Sequence, residues 1–192
     1  MEYFNIEEIK SNSSIYIINS NDDLRKQILQ NILLQHKDIS NRVVITQHRN
    51  ENNLIHQDLT KDFVKNIMKK QKETIKNNDD ARLIMIIDEG LLNEEKTNYL
   101  KQIIMSNRTY QILPILTMVN PYVFKPCIRE NIDFIFIGYY PDFNHLYHFF
   151  INQREYSKDE FEKIIDDLKN KYFNTCLVVN NLNGKLYFYK IN

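Results

Sequence analysis

Short apolar runs alternate along the chain with longer stretches whose apolar residues recur every three or four positions, the periods of strands and helices respectively. The first run, SSIYIINS from Ser13 to Ser20, predicts a strand. In the following NDDLRKQILQNILLQHKD, Leu24, Ile28, Leu29, Ile32 and Leu33 share one helical face, and acids fill the first turn, where the helix dipole favours them. Arg42 to Gln47 predicts a second strand and His48 to Thr60 a polar loop. KDFVKNIMKKQKETIKNN is then a helix with Phe63, Ile67 and Ile75 at helical spacing and lysines opposite. ARLIMIIDEG is a continuous apolar run, the pattern of a strand buried on both faces, and ends in Asp88-Glu89. Strand ends of this kind are where α/β proteins place their sites. LLNEEKTNYLKQIIMSNRTY reads as a helix centred on Tyr99, Leu100, Ile103 and Ile104, and QILPILTMV as a strand whose Pro114 implies an edge, a strand start or a bulge. NPYVFKPCIREN is a proline-punctuated loop, IDFIFIGYY a buried strand, and DFNHLYHFFINQ and SKDEFEKIIDDLKNKYF are helices. TCLVVNN and KLYFYKI close the chain as a hairpin turning at Asn183-Gly184, a dipeptide suited to tight hairpin turns.

Strands alternating with helices predict an α/β class, a mostly parallel sheet covered on both faces. No repeat, linker or shift in composition divides the chain, so residues 1–192 are expected to form one domain. The 25 basic and 25 acidic residues cancel, which removes any global field toward nucleic acid. The cluster Lys65, Lys69, Lys70, Lys72 and Lys76 is diluted by Asp62, Glu73, Asp79 and Asp80, so direct DNA binding is expected to be weak or absent. No apolar run approaches the roughly 20 residues of a membrane span, and no secretion signal is readable, which predicts a cytoplasmic protein with no membrane partner. Cys127 and Cys176 lack CxxC spacing and are expected to be reduced thiols. His145 and His148 have helical spacing but no third or fourth ligand converges on them, so no metal centre is predicted.

Three segments in order carry a resemblance: LIMIIDEG, LKQIIMSNRTYQILPILT and NPYVFKPCIRENIDFIFI. They resemble the virion-packaging ATPases of poxviruses and other large DNA viruses, in the FtsK/HerA group of P-loop motors. The closing TCLVVNN and KLYFYK are similar to that family's closing hairpin, and the likeness runs from about Ser13 onward, densest between Leu83 and Ile137. The resemblance implies a P-loop NTPase-like three-layer sandwich with a mostly parallel central sheet, the strand Gln111 to Val119 lying between Ser14 to Asn19 and Leu83 to Asp88. It assigns Asp88 to Mg²⁺ through a water and Glu89 to polarising the attacking water. It makes Arg108 and Arg129 trans-acting arginines, and Asn120 the sensor-like residue that orients the water. A plainer reading stands beside each role. Asp88 and Glu89 are then polar groups at the solvent end of a buried strand, Arg108 a solvated helix-terminal arginine, Arg129 a partner of Asp133 or Glu130, and Asn120 a turn former before Pro121.

The departure from the family lies in the phosphate loop. A working P-loop wraps phosphates with backbone N–H groups made available by glycines, and adds a lysine and a metal-binding hydroxyl. At that place this chain reads NSNDDLRKQ, and no glycine precedes Gly90. Asn19 and Asp22 stand where glycines would, and Arg25 and Lys26 where Lys and Ser/Thr would. Asp22 and Asp23 are expected to cap the first helix themselves and repel a triphosphate. The expectation is a degenerate packaging-ATPase relative without cofactor or metal, serving as a structural or regulatory subunit. Its expected partner is itself or a related packaging ATPase subunit, with other virion proteins as further candidates. Two alternatives remain: a divergent active NTPase using Asp88 and Glu89 with ATP and Mg²⁺, and a virion or host-interaction module on the same fold.

Overall fold

The computed structural model describes residues 1–46, 58–77, 79–88, 94–120, 124–138, 146–148, 156–171 and 174–191. Its strands are β1 (Ile15–Ile18), β2 (Arg42–Ile45), β3 (Leu83–Asp88), β4 (Ile112–Met118), β5 (Phe134–Ile137), β6 (Thr175–Asn180) and β7 (Leu186–Lys190). Its helices are α1 (Asp22–Gln35), α2 (Lys61–Lys76), α3 (Glu94–Ser106), α4 (Pro126–Arg129) and α5 (Lys158–Lys171). The strands form one sheet in the order β2-β3-β4-β1-β5-β6-β7. Strands β2 to β5 pair in parallel, whereas β6 and β7 join antiparallel as the closing hairpin. Strand β4 lies between β1 and β3, as the resemblance implied.

The apolar runs are continuous because both faces of the sheet are covered. Tyr16, Ile18, Met85, Ile87, Leu116 and Met118 share one core with Val64 and Met68 of α2, Leu100 and Ile103 of α3, and Phe161 and Ile165 of α5. Their neighbours Ile15, Ile17, Ile84, Ile115, Phe134 and Phe136 point the other way and pack with Ile28 and Ile32 of α1. The N-terminal segment completes that second layer. Phe4 N donates to Phe188 O at 2.7 Å, and the Phe4 ring sits 5.3 Å from Phe134 and 5.8 Å from both Phe136 and Tyr187. MEYFNIEEIK has no strand or helix period, so this packing had no signal in the sequence.

Of the edge, strand start or bulge that Pro114 allowed, the edge does not apply: Pro114 is the third residue of a central strand, close to its start. Met118 O accepts from Asn19 N, so even-numbered residues of β4 present their backbone groups to β1. The ladder with β1 begins only at Ile15 opposite Ile115, so the missing N–H of Pro114 falls where β1 has not yet started. The long helix expected to Tyr110 stops at Ser106, and Gln111 turns into β4 with φ 53°. That left-handed residue is held in place: Gln111 O accepts from Leu83 N at 3.0 Å, and Tyr110 O from Gln71 Nε2 at 3.0 Å. The loop expected from Asn120 to Asn131 contains α4, which Pro126 opens. Most of the expected His48 to Thr60 loop, most of the helix expected from Asp142 to Gln153, and His145 lie outside the described residues.

His36, which caps the C-terminus of α1, is buried, and its Nε2 has no hydrogen-bond partner among the described residues. Burial is the main cause pushing its pKa below the ordinary value; Arg82 adds to this and Asp38 opposes it. The folded state therefore holds the neutral imidazole, and the unfolded chain takes the proton first as pH falls. Stability is expected to be full above about pH 6.5 and to decline as pH drops from there through the lower folded pKa. Denaturant midpoints at about pH 7.5 and 5, compared with His36→Gln, check this. The variant should lose part of the decline, and an unchanged decline would show that His36 is not its source.

Candidate functional site

The C-terminal ends of β1, β3 and β4 lie side by side, and the chain leaves β1 there for the start of α1. Asn19 is buried at this point, its N–H donating to Met118 O at 3.1 Å. Its Oδ1 accepts from Asn21 N at 2.9 Å. Asn21, with φ −85° and ψ 115°, is the N-cap of α1, and its Oδ1 takes Asp23 N at 2.9 Å and Leu24 N at 3.3 Å. This corrects the expectation that Asp22 and Asp23 would cap the helix. They occupy its first turn, where Asp22 pairs with Arg25 and Lys26, and the extended backbone of Asn21 presents its side-chain amide oxygen to the helix N–H groups instead.

Arg25 and Lys26 also turn inward on the loop. Arg25 Nη1 donates to Asn19 O, Arg25 Nη2 meets Asp22 Oδ1 at 2.8 Å, and Lys26 Nζ meets Asp22 Oδ2 at 2.5 Å. Lys26, with Arg25 beside it, holds the Asp22 carboxyl below the usual carboxylate range. Among the described residues, Gln111 is the sole non-glycine with positive φ, so no residue from Asn19 to Lys26 takes the left-handed conformation that builds an anion-binding nest. The arrangement is a capped helix start.

Asp88 ends β3 half-buried between two hydroxyls. Thr46 Oγ1 donates to its Oδ2 at 3.3 Å and Thr117 Oγ1 to its Oδ1 at 3.4 Å. Sequence reasoning missed both threonines, although a signal existed: RVVIT and ILPILT each end an apolar run in Thr, and the register sets Thr117 opposite Asp88. Glu89 lies outside the described residues. The side chain of Asn120 is exposed, and its carbonyl accepts from Tyr16 Oη at 3.1 Å.

Against solved structures, the chain resembles the DNA-packaging ATPase B204 from Sulfolobus Turreted Icosahedral Virus (TM-score 0.66, 14% identity, 94% of this chain and 98% of that one). It also resembles the genome packaging NTPase B204 from Sulfolobus turreted icosahedral virus 2 in complex with ATP-gammaS (TM-score 0.64, 15% identity, 96% and 100%). A third likeness is to EssC, ATPases 2 and 3, from Geobacillus thermodenitrificans (TM-score 0.62, 13% identity, 93% of this chain and 40% of that one). The chain has a P-loop ATPase fold. By sequence alone no family profile and no curated protein matches it.

In that fold Arg108 stands apart from Asp88. Arg108 follows α3 near the N-terminal ends of β1 and β5 and pairs with Asp133, Nη2 to Oδ1 at 2.7 Å. Asp133 is buried, and its Oδ2 also accepts from Ser14 N at 2.8 Å. Arg129 does not pair with Asp133; its Nη1 donates to Phe124 O at 2.5 Å. Burial lowers the pKa of Arg129, with Tyr16, Glu130 and Cys127 acting in the opposite direction. The structure thus brings Asp88 to the C-terminal strand ends beside the Asn19 loop and leaves Arg108 at the N-terminal ends of the strands.

Proposed function

We propose that this chain is a relative of viral DNA-packaging ATPases that has given up nucleotide binding and serves as a structural or regulatory subunit, associating with itself or a related ATPase in the cytoplasm or the virion. The observation that carries this reading is that the Asn19 to Lys26 loop turns its amides and cations onto its own side chains, while the buried Asn19 Nδ2 has no hydrogen-bond partner among the described residues. The N–H groups of Asn21, Asp23 and Leu24 are bonded to side chains of the loop itself. The two cations that stand where the P-loop lysine and hydroxyl would be are paired with Asp22. ATP and Mg²⁺ do not fit these residues: the cradle amides are occupied, a carboxylate pair sits at the helix start, and no hydroxyl stands at the metal position. Lost backbone contacts, lysine charge and metal hydroxyl together remove several kcal/mol, and each ~1.4 kcal/mol is tenfold, so a micromolar site becomes millimolar or weaker.

Asp88, held by Thr46 and Thr117 at a strand end, favours the second reading, a divergent NTPase. Isothermal titration with Mg-ATP and a phosphate-release assay separate the two. No saturable heat at micromolar nucleotide and no turnover are expected, with Asp88→Ala and Glu89→Ala indistinguishable from wild type. A micromolar dissociation constant, or turnover abolished by Glu89→Ala, would instead establish the divergent NTPase.

A further inference from the structure

Lys61, Lys65, Lys69, Lys72 and Lys76 recur every three or four residues along α2, and all five are exposed. At 100° per residue they fall within an arc of about 80°, a row about 22 Å long at 1.5 Å per residue. Asp62 and Glu73 lie to one side of it, and among the described residues none of the five lysines has an ion-pair partner. The opposite pattern stands on α5, where Asp159, Glu162 and Asp166 are exposed on one face. Their offsets, i, i+3 and i+7, are those of Lys69, Lys72 and Lys76. Two of the three have lysine neighbours on their own helix, Lys158 to Glu162 at 3.8 Å and Lys169 to Asp166 at 3.0 Å. Such exposed pairs are weak and exchange readily.

Both helices pack on the same face of the sheet but toward its opposite ends. α2 links β2 to β3 and α5 packs on β6, and β3 and β6 are four strands apart, about 19 Å at 4.8 Å per step. That exceeds the ~10 Å screening length of 0.1 M salt, so the rows do not neutralise one another within one molecule. We propose that copies of this chain meet head to tail, the lysine row of α2 in one against the carboxylate row of α5 in the next. The proposal rests on the reading of the chain as an assembly subunit. A contact between two different faces repeats, and it closes into a ring or runs on as a filament. Zero net charge with segregated rows favours a second copy, which brings its own carboxylate row to the lysines, over nucleic acid, which no global positive field attracts. None of the exposed large apolar residues, Met1, Tyr3, Leu34, Met105, Val119 and Leu182, lies on α2, so the row lacks the apolar companions of a membrane-binding helix.

Sedimentation of the full chain at about 50 mM and about 500 mM NaCl tests this. Wild type is expected to associate at low salt and separate at high salt. The triple variants Lys69→Glu/Lys72→Glu/Lys76→Glu and Asp159→Lys/Glu162→Lys/Asp166→Lys should each associate at least tenfold more weakly, with circular dichroism confirming that both are folded. Mixed one to one, they should associate again, because every contact then joins opposite rows. A wild type that stays monomeric at low salt overturns the proposal, as does association that survives either triple change or fails to return on mixing. A monomeric wild type whose lysine row is needed to bind duplex DNA would assign the row to nucleic acid instead. Mg-ATP titration of the same samples reports on the proposed loss of nucleotide binding independently.

Discussion

Replacing Asp133 by alanine is expected to destabilise the fold by about 2–4 kcal/mol, because it leaves a buried donor unsatisfied and frees one partner of an ion pair. Asp133 is buried at the start of β5, where its Oδ2 accepts from Ser14 N at 2.8 Å and Ser14 Oγ at 3.3 Å. These bonds clamp the first residues of β1 to β5, and Ser14 Oγ returns one by accepting from Asp133 N at 3.0 Å. The alanine variant strands the Ser14 amide in the core. Arg108 contributes far less, since its side chain is 62% exposed, and Arg108→Ala is expected to cost under about 1 kcal/mol. The contrast is the test. Urea denaturation should give a large loss for Asp133→Ala and a small one for Arg108→Ala, and equal losses would mean that the ion pair, and not the Ser14 clamp, holds this edge together.

Gly138→Ala is expected to cost about 1–3 kcal/mol through overpacking. Gly138 continues β5 and donates to Ile18 O at 2.8 Å, so its backbone is pinned against β1. A Cβ there would lie 1.9 Å from Asn19 Nδ2 and 2.3 Å from Asn19 Cγ. The Asn19 amide would have to leave, taking with it the acceptor for Asn21 N. Asn19→Ala in the same chain removes the obstructing atoms, so the double variant should lose less than the sum of the two singles. Additive losses would show that Asn19 does not lie across Gly138.

The strands were legible because IYII, LIMIID and FIFI are short continuous apolar runs, the pattern of strands buried on both faces, and the closing hairpin because Asn183-Gly184 sits between two apolar runs. Gly184 takes the turn with φ 76°. What stayed hidden depends on register or on contacts distant in sequence. Pro114 reads equally as an edge, a strand start or a bulge until β1 is seen to start one step above it. Thr46 and Thr117 reach Asp88 only because three strand ends are level, and Phe4 finds Phe134, Phe136 and Tyr187 across nearly the whole chain. At the candidate site, the missing glycines and the two acids of NSNDDLRKQ were plain. The identity of the cap was not, since Asn21, Asp22 and Asp23 are all residues that cap helices and only the backbone of Asn21 decides among them.

The loop from Asn19 to Lys26 bears the central claim, and its own amides report on it most directly. In a ¹⁵N-labelled sample titrated with Mg-ATP, the N–H resonances of Asn21, Asp23 and Leu24 are expected to stay where they are up to millimolar nucleotide, because their acceptors are Asn19 Oδ1 and Asn21 Oδ1. Saturable shifts of these three resonances at micromolar Mg-ATP would contradict it, showing that the side-chain caps give way to phosphate.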